Sequence, residues 1–133
     1  MSERLDLVRS IFAAWERGDF SSAEWAHVEV EFVFAGGPDP GSWTGLAGMA
    51  EGMRSWMSAW SDFRVEADEY RELDAERVLV LSHNVVRGKA SGLELGQTEN
   101  KTANVFHVRG GKVSRLVIYL DRSRALADLG LED

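Results

Sequence analysis

Gly110-Gly111-Lys112-Val113-Ser114-Arg115-Leu116-Val117-Ile118-Tyr119-Leu120-Asp121-Arg122-Ser123-Arg124-Ala125-Leu126-Ala127-Asp128-Leu129-Gly130 is the stretch that decides the fold of this 133-residue chain. The glycine pair is a turn, and the β-branched and aromatic run after it predicts a strand buried on at least part of both faces. The run stops at an acid. Asp121 stands where a helix N-cap belongs, Ala125, Leu126 and Leu129 share one side of the helix predicted over 122–129, and Gly130 supplies the stop. A carboxylate at the rim of an apolar core is how a catalytic site is built, and also how a plain helix cap is built. Strict alternation groups Asp121 with Val117 and Tyr119, opposite Leu116, Ile118 and Leu120. Both sets are apolar, so the pattern leaves open which one faces the interior.

Working outward, Leu5, Val8, Ile11, Phe12 and Trp15 recur at helical spacing and Gly18 ends the run, which predicts a first helix over 2–17. Ser21 with Glu24 forms a capping box for a short second helix carrying Trp25 inward, before a strand from Val28 to Ala35. Residues 36–41, rich in glycine and proline, read as a loop. Met49, Met53, Trp56, Met57 and Trp60 form one apolar stripe of a helix over 46–60, with Gly45, Gly48 and Gly52 on a thin side that permits close packing. From Phe63 onward, three or four strands are separated by turns near Asp74-Ala75, Ser91-Gly92 and Gly110-Gly111. Helices followed by hairpin-joined strands predict a single α+β domain over 1–133, with an antiparallel sheet packed on the helices.

The net charge of −7 disfavours nucleic acid and anionic membrane surfaces as partners and leaves small molecules or proteins. The absence of cysteine excludes disulfides, thiolate catalysis and zinc–thiolate sites. Met1-Ser2-Glu3-Arg4-Leu5-Asp6 holds no apolar signal core, and no later stretch approaches membrane-span length, so a cytoplasmic location is expected. The glycines form no phosphate-binding or dinucleotide fingerprint, so no nucleotide cofactor is expected. His27, beside Glu29 and Glu31, has no second histidine at ligand spacing, and no metal site is expected. Glu66, Asp68, Glu69, Glu72, Asp74 and Glu76 alternate with arginines and read as a solvated face.

The segments IFAAWERGDF from Ile11, AHVEVEF from Ala26, WTGLAGMAEGMRSWM from Trp43 and the ending GGKVSRLVIYLDRSRALADLGL together resemble the SnoaL-like branch of the nuclear transport factor 2-like superfamily, over nearly the whole chain. The resemblance implies a cystatin-like roll in which a curved sheet wraps around the N-terminal helices and leaves a conical pocket, with dimerisation through the sheet. It covers polyketide cyclases, ketosteroid isomerases, epoxide hydrolases, dehydratases and non-enzymatic binding modules, so function has to be argued from the pocket.

In the SnoaL-like cyclases, an aspartate matching Asp121 by its distance from the Leu129-Gly130 stop is the general acid/base of an intramolecular aldol closure. A carboxyl in an apolar wall has its pKa raised toward that task, whereas a helix-capping carboxylate has it lowered. Asn104 matches a position where ketosteroid isomerases carry an oxyanion hydrogen-bond donor. That site is otherwise missing, because Ile11 replaces its tyrosine and Phe34 its aspartate. The Arg-x-Asp pair of epoxide hydrolases is absent from 81–87. His107, beside Phe106, is a secondary catalytic candidate.

Phe34, Trp43, Phe106, Leu116, Ile118 and Tyr119 are candidate ligand contacts, Trp43 as a residue of the pocket mouth. His83, on an apolar strand face, is either a core or interface histidine or a ligand contact. Trp15, Trp56 and Trp60 read first as core. The expectation is a small-molecule protein without a cofactor. It is either a cyclase, isomerase or dehydratase acting on an apolar or aromatic carbonyl compound through Asp121, or a non-catalytic binding or dimerisation module. A homodimer would form through the outer face of the sheet.

Overall fold

The computed structural model describes residues 3–20, 24–35, 41–58, 60–90 and 93–131, with the backbone alone for 60–62, 86–90 and 93–99. Helix α1 (Glu3–Glu16) buries Val8, Ile11, Phe12 and Trp15, the stripe its spacing predicts. It ends in a turn where Gly18 takes φ +82° and donates to the Trp15 carbonyl at 2.9 Å. Residues 21–23, where the capping box would lie, are outside the described residues. Glu24 and Trp25 form a turn, and β1 (Ala26–Ala35) starts two residues earlier than expected. Residues 36–40 of the predicted loop are also outside the described residues, and Gly41 belongs instead to a short strand, β2 (Gly41–Thr44), which no alternation announces.

Helix α2 (Gly45–Ser58) follows at once. Its thin side is a steric requirement: a Cβ on Gly52 would lie 2.9 Å from the Trp43 ring and 3.0 Å from Phe32. Trp43 is thereby seated against the back of α2. The helix ends before Trp60, because that residue opens β3 (Trp60–Glu72), followed by β4 (Arg77–Ala90), β5 (Leu93–Arg109) and β6 (Lys112–Tyr119).

The six strands form a curved, unclosed sheet in the order β2-β1-β6-β5-β4-β3, so the fold is the expected α+β roll. One pairing departs from an antiparallel sheet. The two ends of the chain meet in its middle, where β1 lies parallel to β6 with Phe34 opposite Ile118, while the other four pairings are antiparallel. The free edge of β3 is held to α1 by the Ala67 N–H, which donates to Glu16 Oε2 at 3.1 Å.

Alternation then sorts residues between two cores. On the inner face Phe32, Phe34, Val80, Phe106 and Leu116 pack with α1 and α2. On the outer face Leu79, Leu81, Ala103, Val105 and Val117 lie beneath Ala125 and Leu126 of α3 (Arg122–Leu129). Asp121 caps α3, its Oδ1 accepting the Ser123 N–H at 3.0 Å, and Gly130 closes the helix at φ +70°. The apolar outer residues that motivated the dimer are therefore covered by the chain's own last helix. Among the described residues Val28 is the one large hydrophobic side chain left exposed.

Candidate functional site

The concave face of the sheet, the end of α1 and the second half of α2 enclose a cleft lined by residues from seven elements and from the segment after α1. Its walls are five aromatic rings in a continuous horseshoe. Trp15 stacks on Phe20 (6.2 Å between centroids), Phe20 meets Phe63 (5.9 Å), Phe63 meets Trp56 (6.0 Å), and Trp56 stacks on Phe34 (5.2 Å). Met53 and Met57 of α2 and Ile118 and Leu120 on and just after β6 complete the apolar part. The cavity itself is small, about 30 Å³, within about 430 Å³ of unfilled space when the open mouth is included. The two half-buried methionines are the adjustable part of that wall, because an unbranched thioether changes rotamer cheaply.

The floor is polar and neutral. Asn84 of β4 and Thr102 and Asn104 of β5 face the cavity and are almost wholly buried, as is Ser82 beside them. Buried amides and hydroxyls need partners, and these find them in one another. Asn104 Nδ2 donates to Ser82 Oγ at 3.0 Å, Ser82 Oγ and Thr102 Oγ1 lie 2.7 Å apart, and Asn100 Nδ2 donates to Asn84 Oδ1 at 3.1 Å. No carboxyl, imidazole, amine or phenol stands among the described lining residues. Such a floor can donate to and accept from a neutral carbonyl or hydroxyl group, and it can stabilise a developing oxyanion by hydrogen bonding. It has no side chain that exchanges a proton near neutral pH.

The sequence candidates divide accordingly. Asn104, Phe34 and Ile118 line the cavity together. Phe106 and Leu116, opposite each other on β5 and β6, are fully buried beneath it, Phe106 against Phe12 and Trp15. Trp43 does not line the cavity: its ring lies between the α2 glycines and Phe32 and Phe34, in space that a side chain at Gly48 or Gly52 would close.

Asp121, Tyr119, His83 and His107 belong to the outer side. Asp121 is exposed and turned to the α3 backbone, on the side of the sheet away from the cavity. Tyr119 packs with the outer core, where burial first and then the nearby Asp128 charge raise its pKa. His107 sits in a surface hollow with Asp74, Arg77 and Arg109, and burial, reinforced by the Arg115 and Arg77 charges, lowers its pKa. His83 Nδ1 lies 2.8 Å from Asp68 Oδ1.

Asp68 is more than part of a solvated face. Its other oxygen accepts from Arg122 Nη2 at 2.8 Å. Partial burial would raise its pKa, but the hydrogen bonds from Arg122 and His83 outweigh that and hold it below the ordinary value.

Trp15 and Trp56, read first as core, line the cavity, and Phe20, Phe63 and the floor residues Asn84 and Thr102 were not anticipated there. The available signal was polar residues at every second position, Ser82 and Asn84 on one strand and Thr102 and Asn104 on the next, inside strands otherwise apolar on both faces. The Trp60 side chain is outside the described residues.

A family model described as the SnoaL-like domain matches residues 8–116. No curated protein matches at the sequence level. Among solved structures, TerC co-crystallised with polyporic acid is 20% identical at a TM-score of 0.75, over 96% of this chain and 98% of TerC. An NTF2-like protein from Burkholderia pseudomallei is 19% identical at a TM-score of 0.77, covering 96% and 97%. A phenazine biosynthesis-related protein from Pseudomonas aeruginosa is 16% identical at 0.73, covering 98% and 83%. At these identities the likeness is one of fold. No helix among the described residues is long and apolar enough to cross a membrane.

Proposed function

The chain belongs to the SnoaL-like domain family, and on that premise we propose that it binds a flat, neutral, apolar or aromatic carbonyl compound. One observation carries the reading: five aromatic rings surround a buried floor of amides and hydroxyls that holds no ionisable group among the described residues. Rings supply area to a planar ligand, and Asn104, Thr102 and Asn84 fix its oxygen. A charged ligand would leave its charge unpaired there, at a cost of several kcal/mol. Entry requires Met53 and Met57 to swing aside, because the unoccupied cavity is smaller than any such ligand.

The catalytic alternative is a cofactor-independent cyclase, isomerase or dehydratase with Asp121 as general acid/base. It draws on the family resemblance, and it needs the Asp121 carboxyl beside the ligand. The hydrogen bond from the Ser123 N–H and the opposite face of the sheet favour a cap instead. Turnover, if present, would rest on the Asn104 amide as an oxyanion donor. A homodimer is a separate proposal, for light scattering to decide, and a monomer at micromolar concentration would remove it.

The test of binding is a titration of the protein with two neutral aromatic ketones, α-tetralone and anthrone, followed by thermal shift and by tryptophan fluorescence. Stabilisation by either ketone, lost in Asn104→Leu and kept in Asp121→Asn, is expected. Absence of any response, or undiminished binding by Asn104→Leu, refutes the reading. Turnover of a found ligand that collapses in Asp121→Asn would favour the acid/base alternative.

A further inference from the structure

Arg122 is oddly placed for a helix residue. It opens α3, where the helix dipole disfavours a cation, yet its side chain is only 13% exposed and is turned back onto the outer face of the sheet. Its guanidinium serves three acceptors on three strands. Nη2 donates to the Ser82 carbonyl at 2.6 Å and to Asp68 Oδ2 at 2.8 Å, and Nε donates to the Thr102 carbonyl at 3.3 Å. Ser82 and Thr102 are register partners on β4 and β5. Their hydroxyls, on the other face, lie 2.7 Å apart, and Ser82 Oγ takes the hydrogen bond from Asn104. The same two residues are thus gripped from both sides of the sheet.

From this grip we infer that Arg122 is a positioning residue for the cavity floor, acting through the Ser82 and Thr102 backbone and braced by Asp68. This role rests on the proposed binding reading for its meaning, and on the geometry alone for its existence. Local irregularities explain why an arginine is used here. Pairing of β5 with β6 ends at Ala103–Tyr119, one residue short of Thr102. On the other side a register shift between Ala67 and Glu69 places Asp68 in a bulge of β3 beside the Ala67–Ser82 pair, and a bulge re-aims a side chain. Two ladders therefore lose regularity on either side of the floor strands, and the planar fork of Arg122 spans the gap. A lysine could reach one of these acceptors but could not hold several in fixed directions. His83, on the second Asp68 oxygen, fixes the brace in turn.

The experiment follows the side-chain amide resonances of Asn104 and the backbone amides of Ser82 and Thr102 in the ¹⁵N-labelled full chain, without ligand. Arg122→Met and Asp68→Ala are each expected to displace the Asn104 side-chain pair, and the double variant to move it little further than Arg122→Met alone, as coupled residues do. Arg122→Lys should fall between wild type and Met. Arg124→Ala, on the exposed side of the same helix, should leave the Asn104 pair in place. Should Arg122→Met not fold, Asp68→Ala and Arg122→Lys carry the same comparison.

If the Asn104, Ser82 and Thr102 resonances stay unmoved while the melting temperature falls, Arg122 is only an anchor for α3 and the inference is overturned. In a second arm, Arg122→Met should weaken α-tetralone binding by up to about tenfold, the worth of one well-placed hydrogen bond. A wild-type protein that binds no ketone at all would sink the binding reading and leave the resonance result standing.

Discussion

The two faces of the β4–β5 ribbon are made from alternate residues of the same two strands, yet their chemistry differs in kind. Inward stand Val80, Ser82 and Asn84 with Thr102, Asn104 and Phe106, neutral throughout. Outward stand Leu81 and His83 with Ala103, Val105 and His107, an apolar patch under α3 flanked by ionisable groups. The Asp68–His83–Arg122 cluster lies directly behind the cavity floor. The contrast teaches that the ionisable side chains and the cavity are separated, among the described residues, by the thickness of one sheet.

The inner face should be the more costly to disturb. Phe106→Ala removes a fully buried ring that packs on Phe12 and Trp15, and should destabilise by about 3–5 kcal/mol in chemical denaturation. A loss below about 1 kcal/mol would show that the inner core is slack.

Asn104→Asp breaks the contrast directly, by placing a titratable group on the neutral floor. Burial raises the folded-state pKa of that acid above its unfolded value, so its penalty is absent at low pH and grows as pH rises toward the folded pKa. Every tenfold gain in the buried acid's proton affinity adds about 1.4 kcal/mol to the penalty. Denaturant midpoints from pH 4 to 8 would show the decline, and a flat profile would mean that the floor is wetter than the structure shows.

At the junction of the two faces, Asp121→Ala should lose about 1 kcal/mol of stability, and Asp121→Asn close to none, because Asn caps as well as Asp. Neither should alter ketone affinity, which calorimetry can check. The smallest effect is expected on the outer surface, in the β3–β4 turn. There the Glu76 N–H, with the Arg77 side chain and N–H, holds the Asp74 carboxyl down to about 2. An acid whose folded pKa is lowered contributes stability above its unfolded pKa, and loses it as pH falls from about 4 through about 2. Asp74→Ala should lower neutral-pH stability slightly, lose nothing further near pH 2, and so flatten that part of the acid profile. An identical acid limb in the variant would exclude this turn as its source.

Much of this could be read from the residues because local signals agreed with tertiary demand. The caps of α3 follow from Asp121 and Gly130, and the buried stripe of α1 from its periodicity. The family resemblance supplied the roll. What remained illegible has physical causes. Both faces of β6 are apolar because each meets a core, the inner one under the helices and the outer one under α3, so alternation could not tell Ile118 from Tyr119. Apart from Asn104, the floor residues Ser82, Asn84 and Thr102 were missed because polar residues at every second position ordinarily mark a wet face, whereas here a concave sheet encloses them. Trp43 reads as a mouth residue beside a glycine-rich loop until the space opened by Gly52 is known. Arg122 carries no signal at all, since an arginine at a helix start looks solvated until the sheet beneath it is seen.

The parallel pairing of β1 with β6 bears on the order in which the molecule forms. Strands β3 to β6 are sequential neighbours joined by short connections, so they can zip together locally. β1 must wait for nearly the whole chain before its partner exists. Closing so long a loop is entropically slow and is repaid only when the ladder is complete. On a ribosome, β1 would lack its β6 neighbour until Lys112–Tyr119 emerged. Pulse-labelled hydrogen exchange should then protect β4 and β5 before Phe32–Phe34, and equal protection times would contradict that sequence of events. In that order the wall bearing Phe34 and Ile118 would assemble last, and a small molecule that bridges those two strands would be expected to speed its closure.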